Sequence, residues 1–212
     1  MASGLIGGRL FYVVNFSKYF VHDFWAVFRI WEGGLVSFGG LFGSLIGFGL
    51  WMRKHKELPW KKVLDWLAPA MALGHAIGRL GCFAAGCCHG LPTGVPWAVT
   101  FSDPESIAPL YLPLHPTQLY SAFLLTLLGG FLWLRTPAKK SDGSIFLTYL
   151  SLYSCGRFLI EFLRDEPKIA LNLSVGQWVS AALFLLSIVL TQTKIIAKVT
   201  SKAQDVETAD HH

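Results

Sequence analysis

Charge is scarce in this chain. Only 15% of its 212 residues are Asp, Glu, Lys or Arg, where a soluble domain carries about 25%. With 53% hydrophobic residues and a mean hydropathy of +0.47, that shortage argues against a water-soluble globular domain. No lysine or arginine precedes the first apolar run, residues 4–16, and Arg9 interrupts it, so no cleavable signal peptide is evident. No CxxC pair exists among Cys82, Cys87, Cys88 and Cys155, which excludes the usual zinc spacing. No internal repeat is visible. The net charge of +5 is not a nucleic-acid signal, because the basic residues follow the loops instead of forming a patch.

The apolar residues are clustered. Residues 33–52 hold no charge and match the roughly 20 residues that a spanning helix needs. Residues 117–134, 144–163 and 174–193 read the same way, while 63–77 and 4–16 are shorter. The expected fold is all-α, a polytopic transmembrane bundle of about six spans. Residues 1–196 read as one domain and 197–212 as a polar, disordered tail. Arg53, Lys54, Lys56, Lys61 and Lys62 crowd one connector, Arg135, Lys139 and Lys140 another, and Lys194, Lys198 and Lys202 the tail. By the positive-inside rule these face the cytoplasm, as do both termini, and loop 78–116 faces outward. Segment 17–32, with Trp25 and Trp31, reads as an interfacial stretch. The Gly- and Pro-rich loop 78–116 argues against a continuous helix there and for a cavity in the outer half of the bilayer.

Against this background a few polar groups stand out. Arg157, Glu161 and Arg164 are spaced i, i+4, i+7, which a helix stacks on one face. A charge in a bilayer core costs at least about 3 kcal/mol and points to function. Arg79, at the exit of span 63–77, has no acidic neighbour in sequence, and a guanidinium suits phosphate. If all four converge, a net positive site results that suits a phosphodiester. Arg157 and Glu161 could equally neutralise each other, and Arg79 could be a snorkelling arginine. His115-Pro116 is either a helix start or a general base, with Tyr120 nearby. Gly39, Gly43 and Gly47, with Gly40 beside them, form a small-residue stripe that serves as a packing seam or leaves room for a lipid chain. Cys82, Cys87 and Cys88 are small buried hydrophobes, a disulfide, or soft ligands.

GRLGCFAAGCCHG (78–90) resembles the signature segment of bacterial prolipoprotein diacylglyceryl transferases. IWEGGLVSFGGLFG (30–43), LHPTQLY (114–120), GRFLIEFLRDEP (156–167) and SVGQWVS (174–180) resemble further family segments, in the family's order. The resemblance begins at the family's second span, so the leading helix is expected to be absent. It implies a bacterial inner-membrane enzyme that moves diacylglycerol from phosphatidylglycerol to the lipobox cysteine of a prolipoprotein, whose signal peptide it recognises, without cofactor or metal. The resemblance carries over Arg79, Arg157, Glu161 and His115 as catalytic residues, and Arg79, Arg157, Arg164, Gly39, Gly40 and Tyr120 as lipid- and phosphate-binding ones.

The chain departs from the pattern at several polar positions. The family usually has Asn at Cys82 and at Ala85, Glu at Cys87, an acidic residue at Ser121, and the histidine of its SFHGG segment at Phe38. Two other readings therefore stay open. One is a non-catalytic paralogue that binds lipid or lipoprotein. The other is a thiol-redox or metal-handling membrane protein built on Cys82, Cys87 and Cys88. A solute transporter is a poorer match, because the anomalous polar groups gather toward one side, Asp65 apart.

Overall fold

The computed structural model describes every residue except 1, 22, 30, 32, 35, 139, 140 and 210–212, and all their side chains except 18, 19, 24, 37, 38 and 194–209. Lys139 and Lys140 of the basic connector, the side chains of Phe38 and of the tail, and the last two histidines thus lie outside the described residues. In chain order the elements are α1 (Ala2–Asn15), α2 (Ser17–Phe20), a 3₁₀ turn (Phe24–Phe28), α3 (Ser37–Lys54), α4 (Trp60–Ala84), β1 (Val99–Thr100), β2 (Pro113–Leu114), α5 (Thr117–Arg135), α6 (Ser144–Glu161), β3 (Lys168–Ala170), β4 (Leu173–Ser174) and α7 (Val175–Ala209). The six long helices fall on the six apolar stretches, so the protein is all-α. Among the described residues, α4, α5 and the Val175–Thr193 part of α7 are long and apolar enough to cross a membrane. The chain forms two compact units, Met1–Trp60 and Lys61–His212.

In the first unit α1 packs on α3 through glycines. A Cβ added at Gly7 would stand 2.8 Å from the Gly43 Cα, and one at Gly39 would stand 2.5 Å from the Phe11 Cβ. The stripe is thus a packing seam, where missing side chains let two backbones touch. Arg9 explains how a charge survives in an apolar run. It is 7% exposed and donates to the carbonyls of Ala26, Val27, Arg29, Gly33 and Gly34. Its guanidinium also lies 5.6 Å from the Tyr12 and Phe20 ring centres. The cation is fully used in fastening segment 26–34 to α1.

In the second unit α6 contacts both α5 and α7, and Ala68, Ala72, Leu132, Ile145 and Tyr149 form the buried core. Helices in lipid associate by close packing, which favours small residues. Gly129 accordingly meets Leu73 of α4: a Cβ there would be 2.7 Å from the Leu73 Cγ. The span expected at 63–77 is longer than its apolar run, because α4 carries on through Arg79 to Ala84. Gly78 and Gly81 cost a helix only about 1 kcal/mol each and do not break it. The break comes at Gly86 (φ +70°). There Gly86 N donates to Phe83 O at 3.1 Å and Cys87 N to Cys82 O at 3.1 Å, the paired bonds of a Schellman cap.

Segment 85–116 is irregular, as its glycines and prolines require, but it is pinned. The β1–β2 pair is antiparallel. Gly90 N donates to His115 O at 2.9 Å, Leu91 N to Leu163 O at 2.9 Å, and His115 N to Leu91 O at 3.0 Å. The loop therefore ties the start of α5 to the exit of α6. Gly90 permits it, because a Cβ would lie 2.5 Å from Leu163 O and 2.6 Å from the His115 Cβ.

Candidate functional site

Helices α4, α5 and α6 enclose a cavity of about 320 Å³. Leu124, Leu125, Leu128 and Ile160 are among its apolar walls, and His75, Arg79, Ser121, Tyr153 and Arg157 supply its polar groups. Arg79 and His75 are one helical turn apart on α4, and Arg79 Nε donates to His75 Nε2 at 3.2 Å. That bond requires a neutral imidazole with its proton on Nδ1. It also occupies only one of the donors of Arg79. Arg157 is half-buried and within electrostatic reach of both Arg79 and Arg164. An apolar cavity carrying two guanidinium groups can hold acyl chains beside a phosphate.

Glu161 organises the charges behind this cavity. Its side chain is 2% exposed and its Oε2 lies 2.7 Å from Arg157 Nη1 and 3.5 Å from Arg164 Nη1. Its Oε1 accepts from Ser174 Oγ at 2.8 Å. The Arg157 contact is an ion pair without hydrogen-bond alignment, since that Nη1 has no hydrogen-bond partner among the described residues. A carboxylate can lie this deep only because it is paired on both oxygens. Gly176, at the start of α7, leaves room for it: a Cβ there would come within 2.9 Å of the Glu161 Cδ and 3.2 Å of Arg157 Nη2.

Arg164 differs from expectation. Helix α6 ends at Glu161, so Arg164 follows in the turn and does not ride a continuous helix face. It is buried, bridges in strand fashion to Gly90, and pairs with Glu166 Oε1 at 2.7 Å. It is not among the residues lining the cavity, and Glu166 lowers the net charge expected for the cluster by one. Gly39 and Gly40 belong to the first unit, where Gly39 lines the α1–α3 seam.

His115 and Tyr120 come together as a pair outside the cavity lining. His115 Nδ1 lies 3.3 Å from the Tyr120 hydroxyl oxygen, and that oxygen accepts from Trp97 Nε1 at 2.7 Å. Ser121, where the family pattern has an acid, lines the cavity and donates to Thr117 O at 2.8 Å.

The cysteines are free, and those of 82, 87 and 88 have their sulfurs within 4.8 Å of one another. Burial, then the neighbouring cysteines, push the Cys87 thiol up to about 12. It is a poor nucleophile at neutral pH.

Sequence reasoning missed Tyr153, Ser174, Glu166 and Gly176. Tyr153 precedes Arg157 by one helical turn, and that spacing was a usable signal. Ser174 and Gly176 reach Glu161 only through the β3–β4 hairpin, whose turn residues Leu171 and Asn172 have φ of 51° and 59°.

The sequence profile of the prolipoprotein diacylglyceryl transferase family matches residues 1–193. The chain is similar to the phosphatidylglycerol–prolipoprotein diacylglyceryl transferase of Clostridium tetani, with 37% identity over 187 residues, 87% of this chain and 74% of that protein. It is similar to transferase 2 of that name from Clostridium perfringens, with 34% identity over 89% of this chain and 73% of the relative. The Geobacter sulfurreducens protein is 36% identical over 88% of this chain and 72% of its own length. With the apolar helices and the charged cavity, these matches place the protein among membrane transferases: the chain belongs to the prolipoprotein diacylglyceryl transferase family.

Proposed function

We propose that this protein transfers the diacylglyceryl group of phosphatidylglycerol to the lipobox cysteine of a prolipoprotein, in the bacterial inner membrane with both termini in the cytoplasm. The observation that carries the reading is the apolar cavity holding Arg79 and Arg157. The acceptor sulfur attacks the glyceryl carbon that bears the phosphate. A carbon–sulfur bond forms, the carbon–oxygen bond to phosphate breaks, and glycerol phosphate leaves. The thiol proton passes to a base.

The phosphate gains negative charge as it leaves, from monoanion toward dianion. Fixed guanidinium groups therefore bind the late state more strongly than the bound lipid, which is what lowers a barrier. Arg79, held through Nε by His75, keeps its terminal nitrogens for phosphate. Arg157 acts beside it, and Glu161 positions Arg157. Arg164 acts through Glu161 as a positioning residue, and Glu166 shares it. His115 is the proposed base. In the tautomer that carries its proton on Nδ1, facing the Tyr120 oxygen, His115 keeps the Nε2 lone pair for a proton. The attacking thiol belongs to the peptide, so the chain's own cysteines do not take part.

The test is replacement in the cell. A host depleted of its own transferase should grow when it carries this chain, and should not with Arg79→Ala made at equal membrane abundance. A wild-type chain that inserts but does not restore growth would overturn the reading.

A further inference from the structure

We propose that Cys82, Cys87 and Cys88 form a binding site for one soft, thiophilic cation of the copper(I) class. The spacing C-x4-C-C has no CxxC pair, and the folded chain supplies the proximity instead. The Schellman cap at the end of α4 brings the residue after the left-handed glycine back over the helix's last turn. Here the residue after Gly86 is Cys87, and the one beneath it is Cys82, joined by the Cys87 N to Cys82 O bond of 3.1 Å. Such caps usually carry an apolar contact at this place, and a buried cysteine can serve as a small hydrophobe. That explains two sulfurs and leaves the third unexplained.

Cys88 is the third, and its backbone is turned to φ 61°, a conformation that costs a non-glycine residue about 1 kcal/mol or more. The turn is held from outside. Gln118 Nε2 donates to Cys87 O and Thr117 Oγ1 donates to Cys88 O, each at 2.8 Å. Both donors come from the buried first turn of α5. Three sulfurs thus converge within 4.8 Å. Sulfurs around one cation at a bond length near 2.3 Å stand about 4 Å apart, so the group needs little rearrangement to close on an ion.

The donor set selects the ion. Thiolates prefer soft cations such as copper(I) and zinc. Structural zinc takes four ligands, and among the described residues the group offers three. Copper(I) therefore suits it better. Each sulfur that binds exchanges its proton for the cation, and the protons go to solvent. The Thr117 and Gln118 hydrogen bonds join the site to the first turn of α5, just past His115, and an ion there would brace segment 85–116, which ties the start of α5 to the exit of α6.

The experiment uses the full chain, purified in detergent, reduced and kept free of oxygen. Copper(I) is presented on a chromogenic chelator, and zinc chloride is titrated in parallel. We expect one equivalent of copper(I) withdrawn per chain, at least tenfold weaker binding in each of Cys82→Ser, Cys87→Ser and Cys88→Ser, and no change in Cys155→Ser. Zinc should bind more weakly. As a check independent of the serine variants, copper(I) should raise the thermal midpoint of the wild-type protein and not that of Cys88→Ala. No copper withdrawn by the folded wild type, equal binding by the triple serine variant, or tighter binding of zinc overturns the assignment. The reading of the lipid cavity does not depend on any of these results.

Discussion

Asp65 of α4 caps the start of α6 at Gly143. Its Oδ2 accepts from Gly143 N at 2.6 Å and its Oδ1 from Phe146 N at 2.9 Å. The residue is 0% exposed. A carboxylate here satisfies two amides at the end of a helix and sits favourably at the positive end of its dipole. This acid in an apolar span is therefore a joint between two helices and not part of a solute path.

Asp65→Ala takes the acceptor from the buried Gly143 amide and the half-buried Phe146 amide, and removes the negative charge at the helix start. Loss of hydrogen bonds to a charged group costs about 1.5–3 kcal/mol each. We expect a loss of about 3–6 kcal/mol, read as a fall in the unfolding midpoint in detergent, with Asp65→Asn about half as harmful because its one amide oxygen can still accept one of the two bonds. An unchanged midpoint would show that the cap is not needed.

Glu161→Gln keeps the shape and removes the charge. Arg157 and Arg164 then face each other in a buried setting with one carboxylate fewer. Breaking a buried pair costs about 3–5 kcal/mol. The unfolding midpoint should fall accordingly, and transfer activity should fall with it at temperatures where the protein is still folded. A stable, active Glu161→Gln protein would contradict the role of this carboxylate.

Gly176→Ala adds one methyl group against the Glu161 carboxyl and Arg157. Crowding of this kind costs about 1–3 kcal/mol, and here it also pushes Arg157 from its place. We expect a larger loss in kcat than in apparent lipid affinity, measured by initial rates against phosphatidylglycerol. Equal rates for the two proteins would mean that the pair adjusts freely.

Arg79→Ala should lower kcat by about 10²–10³, the usual effect of deleting one donor to a developing oxyanion. Its unfolding midpoint should change little, because the residue is half-buried and its recorded hydrogen bond is to His75. Arg79→Lys should not restore the rate, since an ammonium lacks the planar fork. Recovery by lysine would reduce the requirement to charge alone.

Much of the site was legible from local spacing. Arg157 and Glu161 are i, i+4, and they pair as that spacing requires. The six long helices coincide with the apolar runs for the same local reason. What the sequence hid depends on long-range turns. Ser174 meets Glu161 across the β3–β4 hairpin, and Arg164 finds Glu166 after the helix has ended. Arg79 is expected at the exit of the apolar span 63–77, yet the helix carries on to Ala84 and stops only where Gly86 takes positive φ. Cys82, Cys87 and Cys88 were visible as candidate soft ligands, but their spacing does not show that three sulfurs meet; the cap at Gly86 brings them together. Gly39 shows the reverse case. A small-residue stripe was visible, but only the fold identifies α1 as its partner.

The central claim is that this cavity supplies a diacylglyceryl group to a thiol. The most direct measurement incubates the purified protein with a lipobox peptide and vesicles containing phosphatidylglycerol, then weighs the peptide by mass spectrometry. The account predicts a peptide heavier by one diacylglyceryl group, with glycerol phosphate released in equal amount. It also predicts no product from vesicles lacking phosphatidylglycerol, and a rate at least about 100-fold lower for Arg157→Ala. An unmodified peptide with folded wild-type protein, or transfer at the wild-type rate by an Arg79→Ala, Arg157→Ala double variant, would contradict it.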